Sequence, residues 1–110
     1  MNFTIQNYIS QHAKVFESMD LTEVQKCLDL VTNTIGNNKK IITCGNGGSA
    51  STASHYITDW NKMYNLATGK KFRGLALTDN VGLITAYGND ISYDEIFSGQ
   101  INTLMDEGDL

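Results

Sequence analysis

The residues best suited to chemistry lie near the middle of the chain. Residues 45–50 read Gly-Asn-Gly-Gly-Ser-Ala and follow a short β-branched segment. A glycine-rich turn between a strand and a helix leaves backbone N–H groups unpaired and adds the positive end of the helix dipole, which suits an anion. Ser49, Ser51 and Thr52 add hydroxyl donors at the same end. The pattern predicts a site for a phosphorylated or carboxylated small molecule.

A histidine and a carboxylate follow on the next predicted helix. His55 and Asp59 are spaced i, i+4, which places them one turn apart on one face. A carboxylate there could abstract a proton next to a carbonyl group, with the imidazole as shuttle, or the two side chains could ligate a divalent metal. The same spacing also fits an exposed ion pair without further function. Two ligands do not make a zinc site, and the sequence holds no second His or Cys pair to finish one.

Two other interpretations of the glycine loop stay open. Its glycines could form only a tight turn, with Ser49 as a helix cap. Gly45, Gly47 and Ala50 also satisfy the loose dinucleotide fingerprint, whose acidic partner is expected about twenty residues later. Asp79 is the acid at the end of the second predicted strand, but it lies farther along than that. A dinucleotide-binding domain is therefore the weaker alternative.

The first 38 residues predict a pair of antiparallel helices. Apolar residues recur at three- and four-residue steps up to about Asp20, and they do so again after Thr22. Thr22 and Gln25 form a capping-box pattern that marks the start of the second helix. The run Gly36-Asn37-Asn38 predicts where that helix ends.

The rest of the chain alternates predicted strands and helices. In chain order these are strand 39–44, helix 50–66 with Gly69 as its stop, strand 73–78, a helix capped by Asp79 or Asn80 and ended by 88–90, and helix 93–105. Such alternation predicts an α/β fold with a parallel sheet flanked by helices. The final residues, 107–110, resemble a turn into a third strand, so we expect the fold to be incomplete at its C-terminus.

Four segments together resemble the sugar isomerase (SIS) domain, specifically the phosphoheptose isomerase family. They are Cys44-Gly45-Asn46-Gly47-Gly48-Ser49-Ala50, His55, Leu75-Ala76-Leu77-Thr78 and Tyr87-Gly88-Asn89-Asp90. The resemblance implies one partial SIS domain over residues 1–110, with a helical pair at 1–38 and an α/β part at 39–110. It implies a flavodoxin-like sheet and a zinc-dependent homotetramer. The implied activity interconverts sedoheptulose 7-phosphate and a heptose 7-phosphate for surface-polysaccharide precursors such as lipopolysaccharide or capsule.

The resemblance also implies roles for individual residues. Six are expected to bind the phosphorylated sugar: Asn46, Gly47, Gly48, Ser49, Asn89 and Asp90. His55 matches a zinc ligand of the family. Asp59 stands where the family carries a glutamate that acts as catalytic base and metal ligand in an enediol-type isomerisation. Aspartate is one methylene shorter, and a displacement of ~1 Å can cost on the order of a hundredfold in rate.

A further departure concerns groups that the family places beyond this sequence. Its second phosphate loop, rich in Ser and Thr, and a C-terminal helix with a Gln and a His would both follow Leu110. We therefore expect the 110-residue chain alone to lack appreciable isomerase activity. A second hypothesis, which the aspartate at position 59 fits equally well, is a non-catalytic sugar-phosphate sensor or a protein-partner module.

Composition excludes several classes of partner. The chain has 12 acidic residues against 8 Lys plus Arg and a formal charge of −4, which argues against a nucleic-acid or anionic-membrane surface. Cys27 and Cys44 form no CxxC pair, so we expect reduced, buried thiols. The N-terminus lacks a signal-peptide pattern and no segment approaches ~20 apolar residues, so we expect a cytoplasmic protein.

Overall fold

The computed structural model describes residues 3–110, which form five helices and two strands. They are α1 (Ile5–Glu17), α2 (Leu21–Gly36), β1 (Lys40–Thr43), α3 (Gly48–Thr68), β2 (Arg73–Ala76), α4 (Val81–Asp90) and α5 (Glu95–Leu104). β1 and β2 pair in parallel, with Ile41 opposite Gly74. The predicted α/β fold with a parallel sheet is confirmed.

The chain divides into two compact units, Met1–Leu30 and Val31–Leu110. α1 and the first part of α2 belong to the first unit. α1 ends at Glu17, earlier than the predicted end near Asp20. The predicted division into a helical pair at 1–38 and an α/β part at 39–110 stays a prediction.

The start of α2 differs from the predicted capping box. The Asp20 carboxylate accepts hydrogen bonds from the backbone N–H groups of Thr22 (2.9 Å) and Glu23 (3.3 Å). The Gln25 side chain does not fold back; it donates to Asp29 one turn later, at 2.8 Å. The prediction of a box at Thr22 and Gln25 is wrong because a carboxylate two residues upstream of Thr22 satisfies the free amides and also complements the helix dipole.

In the second unit α3 connects the two strands and packs on them. The buried apolar side chains are Ile41, Ala53, Ile57, Ala76, Leu77 and Ile96. α3 ends where Gly69 adopts a left-handed conformation (φ 68°), as predicted. The β1–α3–β2 unit therefore encloses the small core that positions the glycine loop.

α4 and α5 pack against each other and differ from prediction at two points. α4 continues through 88–90, so the predicted stop there is wrong; packing against α5 outweighs the weak helix propensity of Gly88. The helical spacing of this segment also predicts that Ile101, Leu104 and Met105 face inward, but all three are more than a third exposed, so that prediction is wrong for them. Ile96 and Gln100 are buried instead, and the Gln100 amide donates to the carbonyls of Leu77 (3.1 Å) and Ile96 (2.8 Å).

Aromatic side chains of α3 cluster on its C-terminal half. The rings of Trp60 and Tyr64 lie 5.4 and 5.9 Å from that of Phe72. With Val31, Ile35 and Met63 they line an apolar pocket of about 430 Å³. The helical spacing of Trp60 and Tyr64 predicts packing or interface contacts rather than a stacking platform for bases or sugars, and their contacts with Phe72 agree with packing.

Two further sequence expectations can be compared with the structure. Cys27 and Cys44 are both free thiols, but both are exposed, so the expectation that they are buried is wrong. Within residues 3–110, none of the helices has the length and apolarity needed to cross a membrane.

The last residue adds to the outer edge of β1. The Leu110 N–H donates to the carbonyl of Lys40 at 3.0 Å, and the Leu110 carbonyl accepts from Ile42 N–H at 2.8 Å. Leu110 thus makes the pairing that the predicted third strand requires, although the sheet of the described residues has two strands. β1 therefore lies between β2 and this C-terminal segment.

An ion pair fastens the C-terminal segment to β1. Asp109, with a side chain only 1% exposed, accepts from Lys40 Nζ (2.8 Å), from the Lys40 N–H (2.7 Å) and from the Asp106 N–H (2.8 Å). Burial alone would raise the pKa of Asp109, but these hydrogen bonds outweigh it and hold that pKa well below its usual value of 3.8. Asp106 also contacts Lys40 Nζ, at 2.6 Å, from a side chain that is 76% exposed.

We expect Asp109→Asn to lower the free energy of unfolding at pH 7. Because the pKa of Asp109 is lower in the folded chain than in the unfolded chain, its contribution is full above about pH 4, the ordinary carboxyl range, and is lost as the pH falls further. The unaltered chain should therefore lose its advantage over the variant on acidification. Urea unfolding from pH 7 to pH 2 measures this. Asp106→Asn is the control and should cost less, and equal pH profiles for Asp109→Asn and the unaltered chain would contradict the assignment.

The opposite edge of the sheet is closed by one side chain. Leu77 N–H donates to the Thr43 carbonyl and so points toward β1. Because the N–H and C=O groups of successive residues point to opposite sides of a strand, those of Gly74 point away from β1. There the Asn61 amide of α3 accepts from Gly74 N–H (2.9 Å) and donates to its carbonyl (3.1 Å). A Cβ at Gly74 would lie 2.9 Å from the end of the Ile57 side chain and 3.0 Å from the Asn61 oxygen, so a glycine here leaves room for this approach. Asn61 takes the place of a neighbouring strand.

Asn61→Ala should uncover the edge of β2. The loss of two hydrogen bonds predicts a decrease of about 1–2 kcal/mol in the free energy of unfolding, and free strand edges favour self-association. Urea unfolding and light scattering measure the two effects. Asn65→Ala, which removes an amide that bonds Lys70 farther along α3, should not increase association. Equal scattering by the two variants would contradict the role of Asn61.

Candidate functional site

The glycine loop turns directly from β1 into α3. The N–H groups of Ser49 and Ala50 donate to the carbonyls of Asn46 (3.0 Å) and Gly47 (3.1 Å). The N-cap of α3 is Gly47, with no side-chain cap, so Ser49 is not the cap that the simpler interpretation required. The N–H groups of Gly47 and Gly48 make no backbone hydrogen bond within the described part of the chain. These two amides, at the positive end of a 21-residue helix, are available to an anion.

The turn requires a glycine at position 45. A Cβ on Gly45 would lie 2.6 Å from the backbone carbon and oxygen of Ser49, closer than real Cβ contacts. By contrast, a Cβ on Gly48 would meet nothing within 4 Å. The glycines of the loop therefore differ in role, because Gly45 permits the close approach of β1 and α3 whereas Gly48 faces open space.

Gly45→Ala should destabilise the loop, and Gly48→Ala should not. Overpacking at Gly45 predicts a loss of about 1–3 kcal/mol. Gly48→Ala adds a methyl group in open space at a helix start, so we expect a change within about 0.5 kcal/mol. Urea unfolding of both variants measures the difference. A Gly45→Ala chain as stable as the unaltered one would show that the backbone contact is not limiting.

His55 and Asp59 contact each other on an exposed face of α3. His55 Nε2 lies 2.9 Å from Asp59 Oδ2, and the two side chains are 77% and 56% exposed. Ser51, Thr52, His55 and Tyr56 line an open pocket of about 440 Å³ on the same side of the helix. The structure thus brings two predicted hydroxyl donors and the predicted histidine together, with Asp59 one turn along. The contact involves Asp59 Oδ2 and leaves Oδ1 outside it.

Asn89 and Asp90 lie apart from the glycine loop in the described contacts. Both residues belong to the last turn of α4, where the Asn89 amide donates to the Asp90 carboxylate at 2.9 Å. Asp90 lines a separate pocket of about 150 Å³ with Ala86, Tyr87 and Ile91. A common pocket for these residues and Asn46–Ser49 stays a prediction.

The metal-binding capacity of the site depends on its donor set. His55 and Asp59 offer an imidazole nitrogen and a carboxylate oxygen at helical spacing. Within residues 3–110 no cluster of three or more His, Cys, Asp or Glu side chains could hold an ion. Structural and catalytic zinc sites use three or four protein ligands, so these two donors alone do not fit a zinc ion.

Hydroxyl groups that the sequence analysis did not single out fasten α3 to the strands. Thr43 Oγ1, at the end of β1, donates to the Ala53 carbonyl at 3.1 Å. Ser54 Oγ donates to Asp79 and lies 3.0 Å from Thr78 Oγ1 at the end of β2. One Asp79 oxygen is thus engaged by α3, which weakens the case for Asp79 as a ribose ligand in a dinucleotide site. Ser54 could have been identified from the sequence, because it is a polar residue adjacent to Ala53, which lies on the buried face of the helix.

Comparison with known proteins relates the whole arrangement to one family. The sequence profile of the SIS domain matches residues 6–110. A phosphoheptose isomerase from Campylobacter concisus is 36% identical over 108 residues, which are 96% of this chain and 57% of that protein. One from Aliarcobacter butzleri is 38% identical over 98 residues, 89% of this chain and 51% of that protein. The chain thus spans about half the length of these curated relatives.

A solved structure shows the same similarity in three dimensions. The phosphoheptose isomerase GmhA from Neisseria gonorrhoeae superposes with a TM-score of 0.70 at 30% sequence identity. The match covers 96% of this chain and 58% of that one. The fold described above is therefore shared with a protein of that name over almost all of the present chain.

Proposed function

We propose that this chain, which belongs to the SIS domain family, binds a phosphorylated sugar at its glycine loop. We further propose that, with the remainder of the length seen in its relatives, it isomerises sedoheptulose 7-phosphate to a heptose 7-phosphate. The observation that carries the proposal is the loop itself. Two free amides at Gly47 and Gly48 lie at the start of α3, and His55 and Asp59 follow on that helix.

The phosphate would be held by backbone amides and side chains of the loop. Gly47 and Gly48 supply N–H donors, the Ser49 hydroxyl adds another, and Asn46 offers an amide at the rim. A helix N-terminus stabilises the negative charge of the phosphate without a cationic side chain. Asn89 and Asp90 are proposed to contact the sugar, through the amide and carboxylate at the end of α4.

The chemistry proposed for Asp59 is a proton transfer between neighbouring carbons. In an aldose-ketose isomerisation, a base removes the C–H proton next to the carbonyl and returns a proton to the adjacent carbon, while a hydroxyl proton moves to the former carbonyl oxygen. The exposed oxygen of Asp59 is the acceptor, and His55, at 2.9 Å from the other oxygen, orients the carboxylate. The missing methylene relative to glutamate should make this base slower than that of the family.

The proposal extends to zinc binding, the oligomeric state, the cellular location and the pathway. His55 and Asp59 would supply two ligands, so zinc binding requires other residues to add the rest. We propose a homotetramer in the cytoplasm that serves lipopolysaccharide or capsule heptose synthesis. Apolar side chains that stay exposed on α1, such as Ile5 (78%) and Phe16 (68%), support contact with further copies.

Binding is tested with a matched pair of ligands. The 110-residue chain is titrated with sedoheptulose 7-phosphate and with unphosphorylated sedoheptulose, while backbone amide signals are followed by NMR. We expect the signals of Gly47, Gly48 and Ser49 to shift to saturation with the phosphorylated sugar only. No isomerised product should form from this chain alone. Equal responses to both sugars, or none at these amides, would overturn the proposed site.

A non-catalytic sensor or partner module is the second candidate function. The observation that favours it is the contact between His55 and Asp59, which engages one oxygen of the proposed base. Turnover of sedoheptulose 7-phosphate by a polypeptide of the relatives' length separates the two candidates. A sensor would bind the sugar phosphate without converting it, and Asp59→Glu would then leave binding unchanged and product absent. A dinucleotide-binding domain, the weaker alternative, would instead bind NAD tightly.

A further inference from the structure

The start of α3 is attached to the ends of both strands at two consecutive residues. The Ala53 carbonyl accepts from Thr43 at the end of β1, at 3.1 Å. The Ser54 hydroxyl donates to Asp79 and contacts Thr78, both of which follow β2. Each attachment joins residues at least ten positions apart in sequence, so they are tertiary contacts rather than turns of the helix.

These attachments lie between the two halves of the candidate site. The free amides of Gly47 and Gly48 are nearly two turns before Ser54, and His55 follows Ser54 directly. A helix moves as a stiff rod over this length, so a shift at Ser54 would move the loop and His55 together relative to the strands. Displacements of ~1 Å at a site can cost on the order of a hundredfold in rate.

Asp79 is itself held in place at the end of β2. Its backbone N–H donates to the Ala76 carbonyl at 3.2 Å, and Ala76 is 4% exposed. The carboxylate is exposed, yet its Oδ1 accepts from Ser54 on α3. A hydrogen bond to a charged acceptor is stronger than one between neutral groups. The carboxylate therefore holds the serine from the turn that follows β2.

We propose that Ser54 and Asp79 are positioning residues for the glycine loop. Asp79 acts through the Ser54 hydroxyl to hold the first turns of α3 against the end of β2, so that the loop amides keep the geometry that binds phosphate. Neither side chain needs to touch the ligand. The inference depends on the proposed function, because it assumes that the loop binds a sugar phosphate.

The test compares ligand affinity with stability in matched variants. Ser54→Ala removes the hydroxyl without harming helix propensity, and Asp79→Ala removes its acceptor. We expect each variant to bind sedoheptulose 7-phosphate about threefold to tenfold more weakly than the unaltered chain. Amide signals of residues 48–55 should shift even without ligand, and the thermal midpoint should fall only by the several degrees that the loss of one hydrogen bond implies, so that the chain stays folded at the titration temperature. Asp79→Asn keeps an acceptor oxygen and should restore most of the affinity.

The double variant tests whether the two residues act through each other. If Asp79 acts through Ser54, the double variant Ser54→Ala/Asp79→Ala should bind sedoheptulose 7-phosphate no more weakly than the single variant with the lower affinity. Thr68→Ala, which removes a hydroxyl at the far end of α3, is the control and should leave affinity unchanged. Unchanged affinity in Ser54→Ala, or a double variant whose loss is the product of the single losses, would overturn the inference alone. Failure of the unaltered chain to bind the sugar phosphate would overturn the proposed function and the inference with it.

Discussion

The contact between Gly45 and the backbone of Ser49 is the constraint on which the site depends. With no side chain at position 45, β1 can turn at once into α3, and the helix starts above the end of its own strand. A larger residue would push the two elements apart, and the amides of Gly47 and Gly48 would then no longer converge. The core beneath the loop, with Ala53 and Ile57 against the strands, holds the helix at the same close distance.

Elements whose residues repeat over many positions could be predicted from the sequence. α3 follows from its helical spacing and its Gly69 stop, β1 from its short β-branched run, and β2 from the short apolar run at 75–77. The parallel pairing follows from the alternation of strands and helices, since a parallel pair needs a crossover connection. The same reasoning placed the glycine loop at a helix start and put His55 and Asp59 on one face of that helix.

Features that depend on one tertiary contact could not be predicted in this way. α4 passes through 88–90 because α5 packs beside it, and no local signal reports that packing. Gln100 is a polar residue whose burial is stable only because carbonyls from two different elements accept its N–H groups. Asn61 is likewise an ordinary surface residue in the sequence, and only the fold brings its amide to the edge of β2.

The attachment of Asp109 to Lys40 joins residues 69 positions apart, and this separation bears on the order of folding. The two strands of the β1–α3–β2 unit can pair with each other once residue 76 has been synthesised. The outer edge of β1, by contrast, has its partner only when residue 110 has been synthesised. At a synthesis rate of about 5–20 residues per second, this interval lasts on the order of seconds. During that time a nascent chain presents an unpaired edge of β1 beside the β1–α3–β2 unit, the state in which strands pair with wrong partners. A chaperone or the ribosome surface would be most useful to this protein in that interval.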